Sequence, residues 1–195
     1  MKPLGDAASK LRDAYHYLVD GEVEFLQELA VGLPADPVVV NIGAGVGTSC
    51  LTFLEARQDI YVVTVDNQLE EPPVDSGSSL RKEEAALREA GLWGKGWHRQ
   101  VQGDSKDIGK TWVDPVDMVF VDGDHSYEGC RGDIEAWTPH VRVGGVIAIH
   151  DYNALHRGDD TWYAPIVSAV DDTLSANPLW QEIGRATTTI AFRRL

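Results

Sequence analysis

Cysteine is scarce in this chain. Cys50 and Cys130 are the only two in 195 residues. Both fall in stretches with helical patterning, and they read as reduced cytoplasmic thiols rather than a disulfide framework. Long apolar runs are also missing. No stretch approaches the ~20 residues that a membrane span needs. The opening Met1-Lys2-Pro3-Leu4-Gly5-Asp6 carries no apolar signal-peptide core. Cations are few, with 17 Lys plus Arg against 31 Asp plus Glu and a net charge of −14. So acidic a chain is poorly suited to a phosphate backbone. The expectation is therefore a protein without a nucleic-acid or membrane partner, whose acidity serves solubility. Repeats, low-complexity tracts and interdomain linkers are absent as well.

A hydrophobic content of 43% and six tryptophans fit a globular protein. The length suits one domain with a full core, here 1–195, divided into N-terminal helices over 1–35 and a core over 36–195. The core opens with Val38 to Ile42, an apolar β-branched run of buried-strand length. It passes at once into Gly43-Ala44-Gly45-Val46-Gly47-Thr48-Ser49. Cys50 to Glu55 then reads as a helix, and Ile60 to Val65 as a second strand that ends in Asp66. Strand, glycine loop, helix, strand and terminal acid make a nucleotide-binding βαβ unit. The glycines allow a sharp turn and close approach to a ligand, the helix start offers free N–H groups, and Asp66 can accept from ribose hydroxyls.

The remaining chain alternates strands and helices. Residues 7–31 look helical with a break at Asp20-Gly21, and packing against the sheet is favoured for them over a lid. After Asp66 comes a loop from Asn67 to Ser79 containing Glu70, Glu71, Pro72, Pro73 and Gly77. Ser79 is expected to cap a helix over Leu80 to Ala90 ended by Gly91. Further strands are expected at Trp97–Gln102, Asp117–Val121 and Val146–Ile149, with Val141 to Gly145 a turn. Helices are expected at Tyr127–Thr138 and Trp162–Leu174, around a polar loop over residues 152–160. Trp180–Ile183 and Thr187–Phe192 flank Gly184-Arg185-Ala186 as a terminal hairpin. The predicted architecture is α/β, a Rossmann-like three-layer sandwich whose seven-stranded, mostly parallel sheet closes with a C-terminal antiparallel hairpin. In such sheets ligands bind beyond the carboxyl ends of the strands. Asn41, Asp66, Asp104, Asp122 to His125 and His150 to Asn153 all fall there.

The glycine spacing allows two readings. A dinucleotide fingerprint needs a glycine where Thr48 stands, whereas Gly43-x-Gly45-x-Gly47 resembles motif I of class I S-adenosylmethionine-dependent methyltransferases. Asn41 replaces the acid that usually opens that motif. The resemblance sharpens at Val119-Phe120-Val121-Asp122-Gly123-Asp124-His125-Ser126-Tyr127-Glu128-Gly129, with Asp133 beyond, and at Gly144-Gly145-Val146-Ile147-Ala148-Ile149-His150-Asp151-Tyr152. These blocks are similar to the methyltransferase domain 24 subgroup, related to sugar O-methyltransferases and cephalosporin-hydroxylase-type proteins. The resemblance spans about Val38 to Val170.

It implies S-adenosylmethionine as cofactor, with Asn41, Gly43, Gly45 and Gly47 at its methionine part and Asp66 and Asn67 at the ribose. Gly103, Asp104 and Ser105 would lie at the adenine, although a strand-end turn with a helix cap reads nearly as well there. Asp122 would lie beside the cofactor too, and would bind a divalent ion, Mg²⁺ or Mn²⁺, with Asp151. His150 stands where relatives carry a carboxylate, and as a third ligand of that ion it would shift the site toward Mn²⁺ or Zn²⁺. His125 would be the base that takes a proton from a hydroxyl of a small-molecule substrate. His16, His98 and His140 read as structural, and His156, Trp162 and Tyr163 as bordering the substrate. The competing readings are an NAD-dependent oxidoreductase and a non-catalytic adenosylmethionine-binding protein. A homo-oligomer is left open.

Overall fold

The computed structural model describes residues 5–68, 78–153 and 163–195. The helices are α1 (Ala7–Tyr15), α2 (Glu22–Val31), α3 (Thr48–Ala56), α4 (Ser79–Glu89), α5 (Ser105–Thr111), α6 (Tyr127–Trp137) and α7 (Tyr163–Val170). The strands are β1 (Val38–Ile42), β2 (Tyr61–Asp66), β3 (His98–Gln102), β4 (Val116–Val121), β5 (Val141–Ile149), β6 (Trp180–Ala186) and β7 (Thr189–Arg194). They form one sheet in the order β3-β2-β1-β4-β5-β7-β6. β1 to β5 are parallel, and β7 runs antiparallel to both of its neighbours. This is the expected Rossmann-like sandwich. Strand order reverses beside β1, so the ends of β1, β2 and β4 frame the ligand crevice of such sheets.

The sheet separates two apolar clusters. One gathers Val40, Val119, Ile134, Trp137, Ile147, Val167 and Val170 beneath α6 and α7. The other gathers Leu18, Leu26, Phe53, Val62, Met118 and Phe120 beneath α1, α2 and α3. The N-terminal helices therefore pack as expected. α1 is held by Glu55 of α3, whose carboxylate accepts the backbone N–H groups of Ala7 and Ala8 (2.8 and 3.1 Å). That pairing satisfies N–H groups a helix start leaves open.

Several local expectations shift. Helix α1 stops at Tyr15, where His16 adopts a left-handed conformation (φ 57°), so Leu18 is buried from a turn rather than a helix. Ser78, not Ser79, occupies the start of α4. The turn expected over Val141 to Gly145 lies inside β5 as an irregularity in its pairing with β4. A Cβ at Gly145 would lie 2.9 Å from the Asp117 carbonyl oxygen, so that glycine serves strand approach. The closing hairpin turns at Thr187 (φ 49°) and Thr188, and Gly184 sits within β6 against the Phe25 ring. The expected loop residues Glu70 to Gly77 and most of 152–160, with His156 and Trp162, lie outside the described residues. No helix among the described residues is long and apolar enough to cross a membrane.

Candidate functional site

A cavity of about 1150 Å³ opens over the carboxyl ends of β1 to β5. The glycine loop forms its floor, and its three glycines do different work. Gly43 (φ 91°) packs so closely on β4 that a Cβ there would lie 2.0 Å from the Asp122 carbonyl oxygen. Gly47 (φ 95°) starts α3, and its Cβ would lie 3.0 Å from Cα of Glu83. Gly45 (φ 50°) has nothing within 4 Å of such an atom. Two glycines are thus demanded by packing, and Gly45 leaves room for a ligand to approach the backbone. Thr48 and Ser49 line the cavity at the start of α3, where unpaired N–H groups and the helix dipole favour a negatively charged group. Asn41 is fully buried and does not line the cavity. Its Nδ2 donates to the Gly43 carbonyl (3.0 Å), so it supports the loop from beneath.

Asp66 closes the next side. Its Oδ2 accepts from the Ala44 N–H (2.8 Å), and its Oδ1 accepts from the Gln68 N–H (2.6 Å) and the Ser79 hydroxyl (2.7 Å). Ser79 thus orients the acid instead of capping α4. The carboxylate lines the cavity beside Asn67, and the three donors fix its direction. A rigid carboxylate beside an open glycine loop suits the vicinal hydroxyls of a ribose.

At the end of β3, Gly103 is followed by Asp104, whose side chain accepts from the N–H groups of Lys106 (2.9 Å) and Asp107 (3.3 Å). Asp104 is therefore the N-cap of α5, and with Gly103 it also lines the cavity. Ser105 lines the cavity and donates a short hydrogen bond to Asp133 of α6.

The ends of β4 and β5 carry a cluster of acids and imidazoles. His150 Nδ1 lies 3.0 Å from Asp122 Oδ1 and 3.5 Å from Asp151 Oδ2. His125 Nε2 lies 3.3 Å from Asp151 Oδ2 and 3.7 Å from Asp122 Oδ1. Asp151 takes a left-handed conformation (φ 55°) that turns the chain out of β5. Sequence reasoning missed the fifth member, Glu22. It is wholly buried, and its Oε2 lies 3.2 Å from His150 Nε2. Glu22 also accepts from the Val19 N–H, the Thr188 N–H and the hydroxyls of Thr188 and Thr189. The one available signal was an acid placed among the apolar positions of α2.

Charge is shared tightly there. Burial works against an ionised Asp122, but His150 and His125 outweigh it and hold the carboxyl down at about 2. Burial likewise works against a charged His150. Asp122, Asp151 and Glu22 reverse that and hold the imidazole well above its ordinary range. His125 is raised above its ordinary value too, with burial outweighed by Asp122 and Asp151.

Asp122, His150 and Asp151 each offer one ligand atom, all within 4.8 Å of one another. Two carboxylates and an imidazole suit Mn²⁺ or Zn²⁺ better than Mg²⁺. As arranged, however, both His150 ring nitrogens face carboxylates. That pairing calls for two N–H donors, and an imidazolium has no lone pair for an ion. His150 itself supplies the positive charge the acids need, and the residues present do not fit a metal centre that includes it.

His98 is paired with buried Glu83 at 3.0 Å, and His140 Nε2 lies 2.9 Å from the Gly109 carbonyl oxygen, both structural contacts. His16 departs from that expectation in part, since with Tyr17 and Leu18 it lines the cavity. Tyr163 begins α7, and Pro165 in its first turn lines the cavity.

The chain resembles several solved structures closely in shape and weakly in sequence. A protein from Corynebacterium glutamicum superposes with a TM-score of 0.75 at 17% identity, over 97% of this chain and 90% of that one. An O-methyltransferase from Bacillus cereus, solved with S-adenosylhomocysteine, gives 0.73 at 15% identity over 100% and 93%. The O-methyltransferase TomG from Streptomyces achromogenes, involved in tomaymycin synthesis and solved with S-adenosylmethionine, gives 0.72 at 19% over 97% and 90%. At such identities the likeness speaks to the fold. The family rests on a sequence model, that of the Methyltransferase domain numbered 24, which matches residues 40–152, from within β1 to just past β5. With more than half of its length matched, the chain belongs to this family of class I S-adenosylmethionine-dependent methyltransferases.

Proposed function

We propose that the chain transfers a methyl group from S-adenosylmethionine to a hydroxyl of a small molecule. The observation that carries this reading is one cavity shared by two kinds of wall. Gly45 and Asp66 offer a cofactor surface, and the His125–Asp122–Asp151–His150 cluster borders the same space. Gly43 and Gly47 hold the loop that presents Gly45, and Asp66 takes the ribose hydroxyls. The cluster sets three carboxylates, Glu22, Asp122 and Asp151, against two imidazoles. The surplus of negative charge favours a sulfonium nearby.

The chemistry then needs one proton transfer. The acceptor hydroxyl gives its proton to the neutral form of the His125 imidazole as its oxygen forms a bond to the methyl carbon. The S–CH₃ bond breaks, and its electrons stay on sulfur as a neutral thioether. Asp151, 3.3 Å from Nε2, steadies the imidazolium so formed. His150 positions Asp122 and Asp151, and Glu22 positions His150. Transfer of a labelled methyl group to a panel of hydroxylated acceptors tests the reading. Tight cofactor binding without product on any acceptor would favour a non-catalytic binder.

A second reading keeps a divalent ion at Asp122 and Asp151, favoured by the grouping of ligand atoms within 4.8 Å. Elemental analysis of the purified protein and titration with Mn²⁺ after chelation separate the two. Unchanged turnover in chelator supports the metal-free site.

A further inference from the structure

Asp133 is a buried carboxylate that the proposed chemistry does not use. It sits on α6, 1% exposed, and yet borders the cavity. Its Oδ1 accepts a hydrogen bond from the Ser105 hydroxyl, and among the described residues Oδ2 accepts none. A Cβ at Gly123 would lie 3.2 Å from Oδ2. The glycine at that position leaves the acid room at the end of β4. Burial raises Asp133 to about 6, and Asp104 and Asp124 add to that push while Ser105 and Lys106 oppose it. Holding an acid there is costly, and a donor from a ligand would relieve the cost.

The position of Asp133 says which donor. Ser105 starts α5 at the end of β3, and Gly103 N–H donates to the Asp66 carbonyl (3.0 Å), so the β3 end abuts the ribose acid. Asp122 and His150 end strands on the other side of β1 in the sheet. A nucleoside anchored at Asp66 with its reacting end at Asp122 turns its base toward Ser105 and Asp133. Asp104 also lines the cavity, but its Oδ1 caps α5 and its Oδ2 pairs with Lys106 at 3.4 Å, so both of its oxygens already have partners. The ribose hydroxyls are met by Asp66, and on the base itself the exocyclic amine of the purine is the donor.

We propose that Asp133 recognises the 6-amino group of the cofactor's adenine and selects adenine over a 6-oxo purine. This inference rests on the adenosylmethionine reading above. A 6-oxo purine would set a carbonyl oxygen against a carboxylate, whereas an amide can rotate to donate to it.

The experiment is calorimetric titration with S-adenosylhomocysteine and its 6-oxo analogue. The wild type is expected to prefer the amino form by about 10–100-fold. Asp133→Asn should narrow that preference below about 3-fold, and Ser105→Ala should keep it, since the acid remains. Equal binding of the two ligands by the wild type overturns the proposal and leaves the cofactor reading intact. A full preference in Asp133→Asn, or its loss in Ser105→Ala alone, also overturns it. Binding of neither ligand by the wild type overturns the cofactor reading itself, and this proposal with it. Should Asp133→Asn fail to melt cooperatively, Asp133→Ser carries the same comparison, with the preference again expected below about 3-fold and a full preference overturning the proposal.

Discussion

Glu22 and His150 are 128 positions apart in the chain and 3.2 Å apart in the fold. The contact joins the start of α2 to the end of β5, and the same carboxylate ties in the β6–β7 turn through Thr188 and Thr189. Truncating one member of a buried charge pair leaves the other uncompensated, at roughly 3–5 kcal/mol. Glu22→Ala should lose stability on that scale in a denaturant titration. Glu24, an exposed neighbour paired with Arg12, should lose less than about 1 kcal/mol as Glu24→Ala. Similar losses for the two variants would show that the buried contact carries no special weight.

The loop glycines divide by role. Gly43→Ala must displace the backbone at Asp122 and should lower thermal stability sharply, with several degrees lost in Tm. Gly45→Ala meets nothing within the protein and should cost only about 1–2 kcal/mol from its left-handed backbone. Its larger effect should be on cofactor affinity. Thermal melts with and without S-adenosylhomocysteine separate the two. Normal affinity in folded Gly45→Ala would remove the loop from the cofactor site.

His125→Ala should lower kcat by about 10²–10⁴-fold, with the S-adenosylhomocysteine dissociation constant within a few-fold of wild type. Stopped turnover with intact binding marks the base. Unchanged kcat would hand the proton to another group.

Asp133 makes stability depend on pH. Its folded value of about 6 lies above the ordinary 3.8, so folding favours the protonated acid. Its contribution is best below about pH 4, falls as pH rises toward 6, and is a full cost above that. About two units correspond to on the order of 2–3 kcal/mol. Lys106, Asp104, Asp124 and Ser105 all act on this group. Asp133→Asn should therefore melt higher than wild type at pH 8 and equal it near pH 4. An advantage that does not change with pH would contradict the buried-acid account.

The βαβ unit was legible because its signals are local. Val38 to Ile42, the glycine run and Asp66 follow one another, and each constrains its neighbours. The acids and imidazoles at the ends of β4 and β5 were legible for the same reason, as residues that close buried strands. What escaped was carried by contacts distant in sequence. Glu22 meets His150 only after the whole sheet has assembled. Ser79 resembles a helix cap, and only the nearby end of β2 shows that its hydroxyl serves Asp66. Gly184 resembles a turn residue, and only the Phe25 ring shows why it is a glycine. His150 was read against a carboxylate pattern as a metal ligand. Its second partner, Glu22, changes what its ring can do.

The most direct measurement is a pair of calorimetric titrations of the wild-type protein, one with S-adenosylhomocysteine and one with NAD. The dinucleotide alternative turned on the glycine spacing, where Thr48 stands in place of a third fingerprint glycine. The cavity beside Gly45 and Asp66 should bind the homocysteine nucleoside at one site per chain. Asp66→Ala should weaken that binding by roughly 1.5–3 kcal/mol, and NAD should give no saturable heat. Saturable binding of NAD with none of S-adenosylhomocysteine would contradict the account.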